Sequence, residues 1–216
     1  MSIALPSVTV SEVFGSALRG EPCLVIVDED DHHASLLPTQ TWLRDADADD
    51  RSLLELCVGP TVDIGCGPGR MAAAIAGSGR PVLGIDIVPE AVRMSVGRGV
   101  SALLRDVFGP VPGEGRWATA LLADGNIGIG GDPVALLQRL REVIAPTGRV
   151  VVEVAPPGTG VHTRHVRLES AVGRSEHFPW TLVGLDAIEA VAQAAGLRLR
   201  DSHRHGRRFS AVLEAP

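Results

Sequence analysis

The stretch Val62-Asp63-Ile64-Gly65-Cys66-Gly67-Pro68-Gly69 decides the fold of this 216-residue chain. It places three glycines directly after a short β-prone run, Thr61–Ile64, and before an alanine-rich segment, 71–76, that predicts a helix. Glycines in such a turn let the backbone approach a ligand closely, and the N–H groups at the start of the following helix point at whatever binds there. The sequence therefore predicts a ligand-binding loop between a strand and a helix.

Strand and helix signals alternate on both sides of that loop. The predicted strands, such as 81–87 and 149–154, are largely apolar throughout. Apolar strands between helices are typical of a parallel sheet that is covered on both faces. Further along, strands are predicted at 197–202 and 209–213, and the link between them is too short for a parallel crossover, so they are expected to form an antiparallel hairpin. The sequence predicts an α/β fold with a doubly wound, mostly parallel sheet.

The first 49 residues carry less pattern than the rest of the chain. We interpret residues 1–49 as an N-terminal extension or cap, with a helix over 8–18 and a loop over 28–41. Residues 50–216 are interpreted as the cofactor-binding domain, a length that suits one sizeable hydrophobic core.

Two later helices are predicted with specific N-terminal caps. Asp50 precedes a helix over 51–57 and is expected to cap it. Asp186 and Glu189 have the spacing of a capping box at the start of a helix over 186–195.

Composition excludes several classes of function. All 20 basic residues are arginine, which excludes mechanisms that need a catalytic or phosphate-binding lysine, and tyrosine is absent. The net charge of −6 disfavours nonspecific binding of nucleic acid. No apolar run is long enough to cross a membrane and no export signal is recognised, so we expect no membrane association and a cytoplasmic location. Cys23, Cys57 and Cys66 are expected to be reduced thiols that bind no metal.

The glycine spacing and one acidic residue indicate what the loop binds. The pattern is G-x-G-x-G, so the third small position of the dinucleotide fingerprint falls on Arg70, whose bulk opposes the helix–strand packing of that arrangement. Asp86 ends the next predicted strand, and a carboxylate there accepts hydrogen bonds from the two hydroxyls of a ribose. A nucleoside cofactor is favoured, with a nicotinamide-dependent oxidoreductase on a similar sheet as the alternative.

The segment Val62–Arg70, followed by Gly84-Ile85-Asp86, resembles the cofactor-binding half of class I S-adenosylmethionine-dependent methyltransferases. The resemblance runs from about residue 50 to the C-terminus and implies a seven-stranded, Rossmann-like sheet whose last strand is antiparallel to the rest. It implies S-adenosylmethionine as the cofactor and S-adenosylhomocysteine as the product. It further implies that methionine and ribose lie along Asp63, Gly65, Cys66, Gly67 and Gly69, that Asp86 holds the ribose hydroxyls, and that Ile87, Asp106 and Val107 surround the adenine.

Two residues after the fourth strand of that sheet are expected to face the transferred methyl group. Ligands of such folds meet at the carboxyl ends of the strands, near the point where strand order reverses. We expect Asp124 to contact the cofactor and act in catalysis, and Asn126 to bind the acceptor. Turn formation is the alternative for both, since aspartate and asparagine are common turn residues.

The segment after the fifth strand is expected to cover the acceptor as a loop. Its His162 and His165 are candidate general bases, with an exposed polar surface as the alternative. They lie near no cysteine or paired carboxylate, so no metal site is predicted. Trp180, in the aromatic stretch 177–180, is expected to line the acceptor pocket or else to pack in the core.

Together these features predict an enzyme that transfers a methyl group from S-adenosylmethionine to N, O or C of a small molecule. Outside the enzymes, the alternative is a cofactor-binding partner subunit without catalysis, because binding and catalysis would share the same loop. The sequence leaves the acceptor and the oligomeric state open.

Overall fold

The computed structural model describes residues 5–27 and 34–216, which form two β-sheets with helices packed against them. The strands are β1 (Ser7–Val8), β2 (Leu24–Val27), β3 (Ala34–Leu36), β4 (Thr61–Ile64), β5 (Val82–Asp86), β6 (Ala102–Leu104), β7 (Trp117–Leu122), β8 (Ile144–Val154), β9 (Val161–Ser170), β10 (Gly173–Ser175), β11 (Phe178–Val183), β12 (Arg198–His205) and β13 (Arg208–Glu214). The helices are α1 (Val10–Leu18), α2 (Thr39–Leu43), α3 (Ala48–Leu54), α4 (Arg70–Gly77), α5 (Pro89–Gly97), α6 (Pro133–Val143) and α7 (Ile188–Ala194), with a 3-10 helix at Asn126–Gly131.

The main sheet has seven strands in the order β12-β13-β8-β7-β4-β5-β6. The neighbours from β8 to β6 are parallel, and β13 is antiparallel to both β8 and β12. The predicted fold class, with its doubly wound sheet and C-terminal hairpin, is confirmed. Strand order reverses between β4 and β7, which opens a crevice for a ligand at the carboxyl ends of these strands.

The central strands of the main sheet supply two hydrophobic layers, because successive side chains of a strand point to opposite faces. Ala120 and Leu122 of β7 belong to the core that contains α6 and α7, and Leu121 belongs to the core that contains α3 and α4. All three side chains are fully buried. The second half of the strand therefore faces a core on both sides, which explains its run of apolar residues.

A second sheet joins the N-terminal residues to the segment between β8 and α7. Strand β9 lies at its centre and pairs antiparallel with β2, β10 and β11. Strands β1 and β3 extend the sheet through β10 and β2. Helix α1 packs on this sheet, with Val13 and Ala17 in one cluster with Leu168 and Phe178.

The second sheet overturns two predictions of loop. Residues 34–36 and 39–41, predicted as part of a loop over 28–41, lie in β3 and in α2, and residues 28–33 lie outside the described ranges. The expected loop around His162 and His165 is the first half of β9. Every residue of β3 and the first five of β9 are exposed, so neither β3 nor this half of β9 shows the buried-exposed alternation that reveals a strand in a sequence.

Both predicted helix caps are wrong. Helix α3 is capped by Asp47, and Asp50 sits three residues later, where its carboxylate accepts the backbone N–H of Asp47. Helix α7 has no side-chain cap, because the carboxylate of Asp186 instead accepts the N–H groups of Gly158 and Gly160. Tertiary contacts thus redirect both aspartates. In the described ranges no helix is long and apolar enough to span a membrane.

Candidate active site

The glycine loop between β4 and α4 lies at the carboxyl edge of the main sheet, where strand order reverses. Gly65 has φ +66°, and a Cβ there would lie 2.8 Å from the amide nitrogen of Asn126. Gly67 has φ +55°, and no atom lies within 4 Å of the position that its Cβ would take. Gly65 therefore admits the close approach of Asn126, whereas Gly67 presents an open backbone surface in a conformation that favours glycine.

Asp86 ends β5 beside this loop and is 9% exposed. One carboxylate oxygen accepts the N–H of Gly67 and the other accepts the N–H of Val88, each at 2.8 Å. Burial raises the pKa of the Asp86 carboxyl. Because each carboxylate oxygen has a second lone pair, Asp86 can hold the loop and also accept two hydroxyl groups.

Asp63, at the end of β4, is 2% exposed, and its Oδ2 has no hydrogen-bond partner in the part of the chain that the structure describes. Burial and the nearby charges of Asp124 and Asp86 raise the pKa of Asp63 to about 7. A buried carboxylate oxygen without a partner is costly, and a cation close to it would offset part of that cost. This corner of the site therefore suits a positively charged ligand.

Apolar side chains lie exposed where β5 and β6 end. Ile87 is 58% exposed, Leu104 48% and Phe108 45%. Large exposed apolar side chains beside a polar cleft are typical of a ligand-binding surface. Asp106, also exposed, accepts the N–H of Phe108 at 3.0 Å, whereas Val107 is buried in the main core. The predicted adenine surface thus contains Ile87 and Asp106, with Phe108 exposed in the place expected for Val107.

Five charged side chains meet on the other side of the glycine loop, and we call them the arginine–carboxylate network. One side chain comes from each of α3, α4, β8 and β13, and the fifth comes from the turn that follows β7. Arg70 is 3% exposed and contacts both carboxylate oxygens of Asp124, one of them at 2.6 Å, and it also pairs with Asp50. Arg208 binds both oxygens of Glu153, at 2.7 and 2.6 Å, and also pairs with Asp50. The members are Asp50, Arg70, Asp124, Glu153 and Arg208.

Within the described ranges, Asp124 alone among non-glycine residues has a positive φ, of +53°. Glu153 accepts its backbone N–H at 2.7 Å, and Arg208 reaches its carboxylate at 3.3 Å. The unusual backbone is therefore held from both the main chain and the side chain. The carboxylate that sequence reasoning nominated for catalysis is an ion-pair partner of two arginines. Its contact with the cofactor stays a prediction.

Asn126 has a structural role in the glycine loop, and its predicted contact with the acceptor stays a prediction. Its amide group donates hydrogen bonds to the backbone carbonyls of Ile64 and Gly65, at 2.8 and 2.9 Å. Both amide protons are thus engaged by the glycine loop, which leaves none to donate to an acceptor. Asn126 fixes the distance between the glycine loop and the loop that begins at Asp124.

His162 and His165 both lie on β9, but their side chains point to opposite faces of the second sheet. Residues three apart on a strand point to opposite faces, so the two imidazoles cannot serve the same reaction centre. Both residues are exposed. His162 lies opposite Leu182 and His165 opposite Pro179, which puts only His162 on the sheet face that carries Trp180. Across residues 5–27 and 34–216, no group of three or more His, Cys, Asp or Glu side chains is arranged to hold a metal ion.

Trp180 packs against the 3-10 helix that follows Asp124. A Cβ at Gly128 would lie 2.7 Å from the indole Nε1 and 2.6 Å from the carbonyl of Thr181. The hydroxyl of Thr181 donates to the carbonyl of Gly131 at 2.6 Å. Strand β11 is therefore fastened to the main sheet at the loop expected to face the methyl group, and Trp180 is half-buried beside it.

Sequence reasoning missed the network as a whole. Arg208 and Glu153 carried no local signal, and Asp50 was interpreted only as a helix cap. Arg70 did carry one: a charged residue directly after the glycine loop disfavours the dinucleotide arrangement, and in the structure it is the buried centre of the network.

The residues present fit a cationic nucleoside cofactor. The fit rests on the open side of Gly67, the unpartnered oxygen of Asp63 and the exposed apolar side chains of Ile87 and Phe108. With the strand order and the antiparallel β13, these features define a Rossmann-like protein of the class I methyltransferase type.

Comparison with known proteins places the chain more narrowly. A family model described as a methyltransferase domain matches residues 48–202, so the chain belongs to this methyltransferase family and the predicted enzyme class is confirmed. No curated protein sequence matches the chain significantly.

Solved structures share the fold at low sequence identity. A S-adenosylmethionine-dependent methyltransferase from Bacteroides fragilis, in complex with S-adenosylhomocysteine, superposes with a TM-score of 0.79 at 19% identity, covering 95% of this chain and 94% of that chain. The 1,6-didemethyltoxoflavin-N1-methyltransferase of Burkholderia thailandensis gives 0.60 at 18% identity and covers 83% of each chain. A sugar N-methyltransferase from Streptoalloteichus sp. gives 0.56 at 16% identity, with 81% of this chain and 88% of that chain covered.

Proposed function

We propose that this protein transfers the methyl group of S-adenosylmethionine to a nitrogen, oxygen or carbon atom of a small molecule. S-adenosylmethionine is the cofactor predicted from the sequence, and the methyltransferase family together with similar structures that hold it or its product supports this assignment. The observation that carries the proposal is the open backbone at Gly67 beside the two buried carboxylates of Asp63 and Asp86.

In this proposal each part of the cofactor has a matching surface. Asp86 accepts the ribose hydroxyls, while Ile87, Asp106 and Phe108 surround the adenine. The methionine part lies along the glycine loop at Gly67. Negative charge at Asp63 and Asp86 favours the sulfonium and ammonium groups, and the attraction is strengthened because these carboxylates are buried.

S-adenosylmethionine supplies a methyl group on a positively charged sulfur, which is electrophilic without further activation. The chain then has to align donor and acceptor and to exclude water, an effect that lowers a barrier by about 7–11 kcal/mol in well-oriented reactions. Arg70 and Arg208 keep the loop that begins at Asp124 in one shape. A general base is needed only for an acceptor that starts protonated, and His162 is the candidate because it shares the Trp180 face.

The acceptor is proposed to bind between the 3-10 helix at Asn126–Gly131 and the face of the second sheet that carries Trp180. The half-buried indole offers a flat apolar wall there. Two methyltransferases of the same fold act on small molecules, one on 1,6-didemethyltoxoflavin and one on a sugar. This supports a small acceptor. The net charge of −6 disfavours nucleic acid as the substrate.

Isothermal titration calorimetry tests the cofactor first. We expect the purified protein to bind S-adenosylmethionine and S-adenosylhomocysteine but not NAD. Binding of NAD without binding of S-adenosylmethionine would contradict the proposal.

Methyl transfer is tested with labelled S-adenosylmethionine and a small-molecule extract. We expect S-adenosylhomocysteine to form together with a labelled small product, whose mass spectrum identifies the methylated atom. Tight cofactor binding with no turnover in fractionated extracts would instead favour a non-catalytic partner subunit. Transfer of label only to protein or nucleic acid would contradict a small acceptor.

A further inference from the structure

The guanidinium of Arg208 lies far along the chain from the glycine loop but joins the same site. It forms a planar two-bond contact with Glu153, through Nε at 2.7 Å and Nη2 at 2.6 Å. Two parallel bonds of this kind fix the orientation of a carboxylate as well as its position. Arg208 also contacts Asp124 at 3.3 Å and pairs with the buried Asp50.

Glu153 passes this constraint to the backbone. Its Oε2, already bound by Arg208, accepts the N–H of Asp124 at 2.7 Å. The backbone of Asp124 has a positive φ, which costs energy in a residue with a side chain. Such a conformation persists only where its surroundings enforce it, and the fork between Arg208 and Glu153 is the part that acts on the main chain.

The loop that begins at Asp124 is in turn tied to the glycine loop. Asn126 donates to the carbonyls of Ile64 and Gly65, and Gly65 has no room for a side chain on that side. A shift of the Asp124 turn therefore moves Asn126 and alters the edge of the glycine loop. Asn126 thus contacts the glycine loop at Gly65, whereas Asp86 holds the same loop at Gly67 through a separate hydrogen bond.

We infer that Arg208 is a positioning residue for the methionine half of the cofactor site, acting through Glu153, Asp124 and Asn126 on the glycine loop. The inference rests on the proposed function. The nucleoside half depends on Asp86 and on the apolar ends of β5 and β6, none of which contacts the arginine–carboxylate network directly through a hydrogen bond in the described residues. Arg208 therefore affects one half of the ligand and not the other.

Two ligands separate these halves in calorimetry: S-adenosylhomocysteine, which carries the amino-acid part, and methylthioadenosine, which lacks it. For Arg208→Gln we expect binding of S-adenosylhomocysteine to weaken about tenfold and binding of methylthioadenosine to stay within about twofold. Arg208→Lys should give an intermediate loss, because an ammonium cannot form the planar fork. Arg207→Gln, at an exposed neighbouring position, is the matched control and should bind both ligands as the unaltered protein does.

Glu153→Gln provides a second route to the same answer, which is needed if Arg208→Gln fails to fold by circular dichroism. This variant should also bind S-adenosylhomocysteine more weakly while binding methylthioadenosine almost unchanged. The double variant should lose little more affinity for S-adenosylhomocysteine than either single variant. Equal weakening of both ligands, or no weakening of either, would overturn the positioning role. Failure of the unaltered protein to bind S-adenosylhomocysteine would instead reject the proposed cofactor.

Discussion

The two halves of the candidate site are built in different ways. The half proposed to bind the cofactor depends on main-chain geometry close together in the sequence: the glycine loop, and Asp86 at the end of the next strand. The other half, the arginine–carboxylate network, depends on side chains from residues as far apart as Asp50 and Arg208. Two buried carboxylates of the first half, Asp63 and Asp86, have no arginine partner in the described structure, whereas those of the second half are paired.

This difference has an electrostatic consequence. Buried carboxylates without an arginine partner destabilise the folded chain and attract a cationic ligand, so the half proposed to bind the cofactor is prepared for binding at a cost in stability. The paired carboxylates have their charge compensated within the protein and hold its elements in place. Substitutions that break the network should therefore lower the stability of the folded chain, in addition to any effect on affinity.

The largest effect is expected from Asp50→Asn in the network. Three arginine side chains pair with this fully buried carboxylate, and breaking these buried pairs from one side costs about 3–5 kcal/mol of unfolding free energy. Hydrogen bonds from Arg70 and Arg208 overcome the burial and hold the pKa of Asp50 well below its usual range. Its contribution is therefore present above about pH 4 and is lost as the pH falls below that.

Urea unfolding at about pH 7 and about pH 3 checks this prediction. The deficit of Asp50→Asn relative to the unaltered protein should shrink at the lower pH. A deficit that is small at neutral pH, or that grows in acid, would contradict the role of the ion pairs. Asp45→Asn, an almost fully exposed aspartate nearby, serves as the control.

Asp86→Ala should have the largest effect on binding. It removes the acceptor expected for the ribose hydroxyls and leaves the N–H of Gly67 without its partner, so affinity for S-adenosylmethionine should fall by about 1–3 kcal/mol. In contrast to Arg208→Gln, it should weaken methylthioadenosine as strongly as S-adenosylhomocysteine. Calorimetry with the three ligands measures this, and an unchanged dissociation constant would reject the ribose role.

Comparing Gly67→Ala with Gly79→Ala separates an effect on cofactor binding from an effect of backbone strain. Gly67 and Gly79 both have positive φ, of +55° and +79°, and both have open space around the missing Cβ. Alanine should therefore cost similar stability at both, of about 1 kcal/mol, by thermal unfolding. Only Gly67→Ala should also weaken S-adenosylmethionine, because only its methyl group enters the cofactor surface. Equal affinities in the two variants would mean that the cofactor does not lie along Gly67.

Asp63→Asn should give a smaller, pH-dependent gain in stability. Burial, with the charges of Asp124 and Asp86, raises the pKa of Asp63 to about 7 in the folded chain. The folded state therefore holds this proton more tightly than the unfolded state, and the unfolding free energy falls as the pH rises from about 4 to about 7. The variant removes this penalty, so its melting temperature relative to the unaltered protein should rise between about pH 5 and about pH 8. A relative melting temperature that is constant or falls would contradict an ionising, unpaired Asp63.

The same division explains how far the sequence could be interpreted. The glycine loop, Asp86 and the alternating strands are contiguous patterns, so fold class, cofactor type and family followed from them. The network could not be predicted, because the contact between Arg208 and Asp50 exists only once β13 lies beside β8 and α3 lies above them. The same reason explains why Asp186 does not cap α7. Its local sequence pattern is that of a cap, but its carboxylate accepts the N–H groups of Gly158 and Gly160, which lie 28 and 26 residues earlier in the chain.

The second sheet was missed for a physical reason as well. Strand β2 gains one of its partners, β9, from a distant segment, and β3, which pairs with β2, is exposed along its whole length. Without one buried face, no hydrophobic period marks a strand. His162 and His165 were predicted in a loop for the same reason, because the first half of β9 is exposed. Only His162 lies on the face that carries Trp180.

The pairing of β2 with β9 also sets an order of assembly. Residues 24–27 leave the ribosome about 140 residues before their partners at 166–169, and joining such distant segments is slow because the intervening chain must first be closed into a loop. Most of the main sheet is already synthesised by then. The glycine loop and Asp86 are therefore synthesised before the second sheet can close, and a truncation before β9 would leave exposed the edge of β2 that pairs with β9, with β3 on its other side.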